Sequence, residues 1–206
     1  MSEPAVRRLF VATANSGKVA EFQRIFGGSP IEIATPPDQW HETVVAETGE
    51  TFAENARLKA RAGSGMFGGW TLADDSGLEV DALGGEPGLR SSRYAGRDAS
   101  DDDRIALLLR RLTAARPAVR TARFRCALVI AAPDGSIVFE TEGRCEGRIA
   151  ARARGTHGFG YDPIFLVGDG QRTMAELAPA EKDRLSHRGQ AARAAREFLI
   201  RGNAPE

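Results

Sequence analysis

Two alternating runs, residues 121–132 and 136–147, flank the tetrapeptide Pro133-Asp134-Gly135-Ser136, and this arrangement constrains the fold most. Phe124, Cys126, Leu128 and Ile130 recur at every second position, the period of a strand with one face inward. An Asp-Gly pair between two such runs predicts a tight hairpin. The N-terminal half reads differently, as apolar strand segments each followed by a helical pattern. A chain that combines strand–helix units with a long antiparallel hairpin needs a mixed sheet. The expected class is therefore α/β or α+β rather than a purely parallel sheet. A length of 206 residues suits a single domain over 1–206.

Around the hairpin the elements follow from period and punctuation. Leu9 to Thr13 predicts a short buried strand, and residues 17–26 a helix with Val19, Phe22 and Phe26 on one side. Residues 30–48 read as irregular, with one short strand at 31–34. Thr51 and Glu54 form a capping box for a helix that buries Phe52, Ala56 and Ala60 and is expected to end near Gly63-Ser64-Gly65. "WTLADDSGLEVDALGG" predicts a strand, a glycine break, and a short stretch with Leu78 and Val80 inward. A helix over 100–116 has Ser100 as cap and Asp101, Asp102 and Asp103 in its first turn, where the dipole favours anions. Its apolar stripe is Ile105, Leu108, Leu109 and Leu112, and Pro117 stops it. A last helix is expected over 186–201.

Composition excludes several classes. The formal net charge is zero and the arginines are scattered among acids, so neither a nucleic acid nor a membrane surface is an expected partner. No run of eighteen apolar residues occurs, and "MSEPAVRR" lacks the apolar core of a signal peptide, which together predict a cytoplasmic protein. Cys126 and Cys145 are too few for a disulfide framework or a zinc site. The hairpin register sets Cys126 opposite residue 143, so no disulfide is expected between them.

Four stretches carry candidate chemistry. "ATANSGK" (12–18) joins a strand end to a helix start, but Ala12 replaces the first glycine of a P-loop and Val19 its final Ser/Thr. Exposed N–H groups, the positive helix end and Lys18 suit a phosphate; the same Asn15 and Ser16 equally suit a plain helix cap. "ADDSG" places Asp74 and Asp75 at the end of an apolar strand, where ligands of α/β sheets gather. Such carboxylates can hold Mg²⁺ or take a proton from water, or can serve as an Asp-Gly turn. Glu47 can add a second ligand, and Asn55 and Lys59 share a helix face, which is also the pattern of a solvated one. "GTHGFGYDPIF" sets Phe159 and Tyr161 among glycines, suited to stacking on a base or to anchoring a turn. "EKDRLSHRG" collects Lys182, His187 and Arg188. The acid run at 101–103 is read as dipole compensation and not as a metal cluster.

Taken in order, "TANSGK", "ETGETFAENARLKA", "LADDSGLEVDALGGEPGLRSSRYAG", "GFGYDPIF" and "EKDRLSHRG" resemble the inosine triphosphate pyrophosphatase family, hydrolases of noncanonical purine nucleoside triphosphates. The resemblance implies a twisted mixed sheet flanked by helices, in two lobes with a nucleotide cleft between them, and a homodimer. It implies that Thr13, Ala14, Asn15, Ser16, Gly17 and Lys18 cradle the triphosphate with help from Lys59. It further implies that Glu47 and Asp75 hold Mg²⁺, that Asp75 accepts the proton of the attacking water, and that Ser76 touches substrate. Phe159, Gly160, Tyr161, Asp162, Lys182, His187 and Arg188 would bind base, sugar or phosphate. The expected products are a nucleoside monophosphate and pyrophosphate. His157 departs from the small residue usual at that point of the family's loop.

Base choice has a physical form on this reading. Hypoxanthine and xanthine carry an oxygen at C6 where adenine carries an amino group, and arginine offers only donors. Arg188 aimed at that oxygen would meet an unpaired donor in adenine, a penalty of roughly 1–3 kcal/mol. Two other functions fit parts of the pattern: a Maf-like pyrophosphatase acting on other nucleotides, and a nucleotide-binding protein without catalysis.

Overall fold

The computed structural model describes residues 7–37, 40, 45–115 and 119–201. Its strands are β1 (Arg7–Val11), β2 (Ile31–Ala34), β3 (Thr71–Val80), β4 (Thr121–Ala131), β5 (Ile137–Ile149), β6 (Phe165–Val167) and β7 (Arg172–Thr173). They form one seven-stranded sheet in the order β2-β1-β3-β4-β5-β6-β7. β1 runs parallel to both β2 and β3, whereas β5, β6 and β7 pair antiparallel, so the sheet is mixed. The helices are α1 (Ser16–Phe26), α2 (Phe52–Phe67), α3 (Asp101–Ala115), α4 (Pro179–Leu185) and α5 (His187–Ile200). Short 3-10 turns occur at Asp81–Leu83, Gly88–Arg93, Asp162–Ile164 and Met174–Glu176.

The hairpin is present, turning at Ala132–Ser136, where Asp134 Oδ1 accepts from the Ser136 N–H at 2.9 Å. Both cysteines are buried free thiols. Two boundaries differ from expectation. β3 runs through Gly77 without a break, because the alternation resumes at Leu78 and Val80, both fully buried. α2 continues past Gly63 and Gly65 to Phe67 and ends on Gly68 in the left-handed conformation. Gly63 is there for space, not to stop the helix: a Cβ would lie 2.7 Å from Thr71 Cγ2 and 3.0 Å from Ala12 Cβ. The sequence reading also passed over β6, β7 and α4, although Pro179 stands at the first position of α4, where proline is favoured.

The chain divides into two compact units. The first comprises Met1–Asp75, Cys126–Gly143 and Arg188–Glu206. Its core joins Leu9, Val11 and Leu72 of the sheet to Phe22 and Phe26 of α1 and to Ala191, Ala192, Ala195 and Leu199 of α5. The opposite sheet face carries Phe10, Ala12 and Thr71 and receives α2, with Phe10 and Phe67 rings 5.2 Å apart. The second comprises Ser76–Arg125 and Arg144–His187. There Leu78, Val80, Phe124 and Phe165 pack with Ile105, Leu108 and Leu112 of α3.

Candidate active site

The candidate site of the first unit is built on β3. Successive strand residues point to opposite faces, so Asp74 shares a face with Leu72, toward α1 and α5. Asp75 shares the other face with Thr71, toward α2. The two carboxylates consequently meet different partners.

Asp74 is fully buried, and its Oδ2 gathers cations: Lys18 Nζ at 3.0 Å, and Arg188 Nε and Nη2 at 3.2 and 3.1 Å. Arg188 also donates through Nη1 to Glu21 Oε2 at 2.7 Å. Burial would raise the Asp74 carboxyl, but Lys18 and Arg188 outweigh it and hold it well below the usual carboxylate range. The same burial lowers Lys18, only partly opposed by Asp74. Arg188 is 2% exposed and engaged on both sides, so it sits as a buried counter-ion. A guanidinium so engaged is a poor reader of a base oxygen and a good clamp on Asp74.

Asp75 faces α2. Its Oδ1 lies 2.7 Å from Lys59 Nζ, which is also 3.3 Å from Glu47 Oε1. Asn55 Nδ2 donates to Asp75 Oδ2 at 3.3 Å. Burial pushes the Asp75 carboxyl up, against the pull of Lys59, which makes it a better proton acceptor than an exposed aspartate. Lys59 moves the opposite way to Lys18: burial acts to lower it, but Asp75, Asp74 and Glu47 together raise it, so its charge is secure.

Among the described residues no cluster of three or more His, Cys, Asp or Glu could hold a metal. Glu47 and Asp75 nevertheless converge on one cationic group, Lys59 Nζ. Two carboxylates suit a hard divalent ion that takes its remaining oxygens from water and phosphate, as Mg²⁺ does, and do not suit a dedicated all-protein metal cage.

The loop at the head of α1 is capped by Asn15, whose Oδ1 accepts from the Lys18 N–H at 3.0 Å. The Asn15 N–H in turn donates to Thr13 Oγ1 at 3.2 Å. Ala14, Asn15 and Ser16 are exposed; Thr13, Gly17 and Val19 are half-buried. α1 has no acidic residue in its first turn, so its positive end stays uncompensated, whereas α3 spends three aspartates on that purpose.

The remaining predicted residues lie in the second unit. Half-buried Phe159 has Lys182 Nζ 4.6 Å from its ring centre. Asp162 Oδ2 accepts from the Phe159 N–H at 2.9 Å and pairs with Lys182, both acid and lysine being buried. Buried Tyr161 donates from its hydroxyl to the Ser91 carbonyl at 2.9 Å, which fixes the ring as an anchor. The His187 ring stacks on Phe124 at 4.7 Å. Gly160 donates its N–H to Asp101 Oδ2 at 2.6 Å, a tether that sequence reading missed because 59 positions separate the pair. Ser76, half-buried, follows Asp75 directly. His157 is exposed and its N–H reaches the Ala175 carbonyl at 3.1 Å, so the loop accepts the larger side chain outward. The tight position is Gly158, whose φ is +77° and whose Cβ would fall 2.0 Å from Asp162 Oδ2.

Fold and site together define a mixed α/β protein with a lysine–carboxylate cluster next to an anion-receptive helix end. The family model described as the Ham1 family matches residues 9–198, and the chain belongs to that family. A dITP/XTP pyrophosphatase of Geobacillus kaustophilus is 50% identical over 186 residues, 90% of this chain and 91% of that one. One from Gloeobacter violaceus is 51% identical over 189 residues, 91% and 92% of the two chains. Among solved structures, a HAM1 protein from Coxiella burnetii superposes with a TM-score of 0.84 at 41% identity, covering 95% of this chain and 99% of that one. The Staphylococcus aureus Ham1 protein gives 0.82 at 38% identity, covering 96% and 100%. The resemblance drawn from the five ordered motifs is thereby borne out. No helix among the described residues is long and apolar enough to cross a membrane.

Proposed function

We propose that this protein is a Mg²⁺-dependent pyrophosphatase that hydrolyses dITP, ITP and XTP to the nucleoside monophosphate and pyrophosphate. It would act in the cytoplasm as a homodimer and keep such nucleotides out of nucleic acids. The observation that carries the reading is Lys59 held at 2.7 Å from Asp75 and 3.3 Å from Glu47, beside a helix end free of acid residues. The names of the relatives support the substrate class.

In this mechanism the loop from Thr13 to Lys18 grips the triphosphate with its N–H groups and with the Lys18 ammonium, and Lys59 adds a second charge. Glu47 and Asp75 would hold the metal ion, which when bound supplies charge neutralisation at phosphate oxygens. Asp75 orients the attacking water and accepts its proton. Asp74 and Arg188 stay ionised behind the grip and hold Lys18 in place. Within the second unit, half-buried Phe159 offers an aromatic face suited to a base, Tyr161 and Asp162 hold its loop, and Ser76, Gly160, Lys182 and His187 are proposed as further ligand-binding residues of that unit.

Pyrophosphate release from dITP, XTP, dGTP and ATP, by wild type and by Asp75→Asn, tests the proposal. The wild type should favour dITP and XTP, and the variant should lose roughly 100-fold or more in kcat through loss of the base. Full activity in Asp75→Asn would remove the mechanism. A preference for dUTP or dTTP added to the same panel would favour the Maf-like reading.

A further inference from the structure

We infer that Asn55 is a positioning residue for the reaction: it couples the strap ahead of α2, residues 45–50, which carries Glu47, to the carboxylate of Asp75. The inference rests on the functional reading just given. Asn55 is 1% exposed on the first turns of α2, and both ends of its amide are used. Its Oδ1 accepts the Gly49 N–H at 2.8 Å, and its Nδ2 donates to Asp75 Oδ2 at 3.3 Å. Partner chemistry fixes the amide orientation, because a backbone N–H needs the oxygen and a carboxylate needs the NH₂.

The start of α2 does not require this residue. Thr51 Oγ1 already accepts the Glu54 N–H at 3.1 Å, and Glu54 Oε2 accepts the Glu50 N–H at 2.7 Å. Capping is therefore complete without Asn55. What Asn55 adds is a link between the strap and β3. Gly49 comes close enough to make that link: a Cβ there would stand 2.8 Å from Asn55 Oδ1 and 2.6 Å from Glu54 Cβ. Lys59, one turn further on the same helix face, takes the other oxygen of Asp75 and reaches Glu47. Asp75 is thus held at both oxygens from one helix, and Glu47 is carried on a strap tied to the same amide. A carboxylate held this way cannot turn away from the water it must deprotonate.

Two substitutions separate the roles. Asn55→Asp keeps the shape and the acceptor for the Gly49 N–H but removes the donor to Asp75; Asn55→Ala removes both. In hydrolysis of dITP with Mg²⁺, kcat should fall about 10- to 100-fold in both, the usual scale for a misplaced catalytic group. KM should stay within about threefold, since the loss is confined to the transition state. Amide hydrogen exchange gives a readout independent of turnover: the Gly49 N–H should lose protection in Asn55→Ala and keep it in Asn55→Asp. Wild-type kcat in either folded variant, or a loss confined to KM, overturns the inference. So does unchanged Gly49 protection in Asn55→Ala. If Asn55→Ala does not fold, the near-isosteric Asn55→Asp decides alone. Asp75→Asn run alongside keeps the two readings apart. Activity retained there defeats the functional proposal, whereas an inactive Asp75→Asn beside a fully active Asn55→Asp defeats only the role of Asn55.

Discussion

Asp74→Asn removes the negative charge on which two buried cations converge. In the wild type, Asp74 Oδ2 lies 3.0 Å from Lys18 Nζ and 3.1 Å from Arg188 Nη2, with its side chain shut off from solvent. Two acids, Asp74 and Glu21, there balance two bases, Lys18 and Arg188. The amide leaves one positive charge in excess and presents neutral dipoles to two cations. Removing one partner of a buried ion pair costs about 3–5 kcal/mol, a large share of a typical total near 5–15 kcal/mol. For a chain of this size about 2–4 °C accompany each kcal/mol, so the melting temperature should fall by roughly 6–20 °C. The pH dependence has a definite sign. Burial would raise the Asp74 carboxyl, but Lys18 and Arg188 depress it below its unfolded value. Its stabilising contribution is then fully present above the unfolded pKa of about 3.9 and fades as pH falls toward the folded one. Urea titrations of both proteins at pH 7.5, 6 and 3.5 check this. The gap in unfolding free energy should be equal at the two higher values and smaller at the lowest. A gap under about 0.5 kcal/mol at pH 7.5, or one that widens in acid, would refute the assignment of Asp74 as the hub of these charges.

Two further outcomes follow from other positions. Gly158→Ala forces a left-handed residue with a Cβ to within 2.0 Å of Asp162 Oδ2, so Asp162 must leave Lys182 and the Phe159 N–H; kcat/KM for dITP should drop roughly tenfold or more with circular dichroism unchanged. Both thiols should be silent to Ellman's reagent at pH 8 until urea is added, because burial drives the Cys126 thiol up beside Asp74 and the Cys145 thiol up to about 11. Fast labelling of either in the native protein would contradict that burial.

What could be read in advance was what local pattern determines. The Thr51 cap on the Glu54 N–H, the cap of Ser100 and the Asp134-Gly135 turn each rest on residues within a few positions of one another, and each is present, although the Glu54 carboxylate closes on the Glu50 N–H and not on Thr51 as a capping box would. What could not be read rests on approach between distant segments. Gly63 looks like a helix breaker until Ala12 and Thr71 are seen pressing on it. Asp101 looks like dipole compensation alone until the Gly160 N–H arrives from 59 positions away. Glu21 sits on α1 like any solvated acid, but the Arg188 guanidinium across the core makes it a buried one. In each case the sequence holds the side chain and lacks its partner.

The pair Asp74-Asp75 shows most clearly what the backbone adds. As a string, two adjacent carboxylates invite a joint role, with both aimed at one cation. On a strand that is geometrically excluded, because neighbours face opposite ways. One motif therefore supplies two different electrostatic tasks. The residue facing α1 and α5 is buried among Lys18 and Arg188, stays ionised, and fixes the lysine of the opening loop. The residue facing α2 is raised by burial and tied at one oxygen to Lys59 and at the other to Asn55, and it is the one proposed to accept a proton. On the proposed mechanism, the same division explains why the loop at residues 12–18 manages without the Ser/Thr of a P-loop. A hydroxyl after the lysine is needed where the loop itself must ligate a metal. Here the carboxylates suited to that task come from β3 and the strap before α2, and half-buried Val19 is free to serve α1.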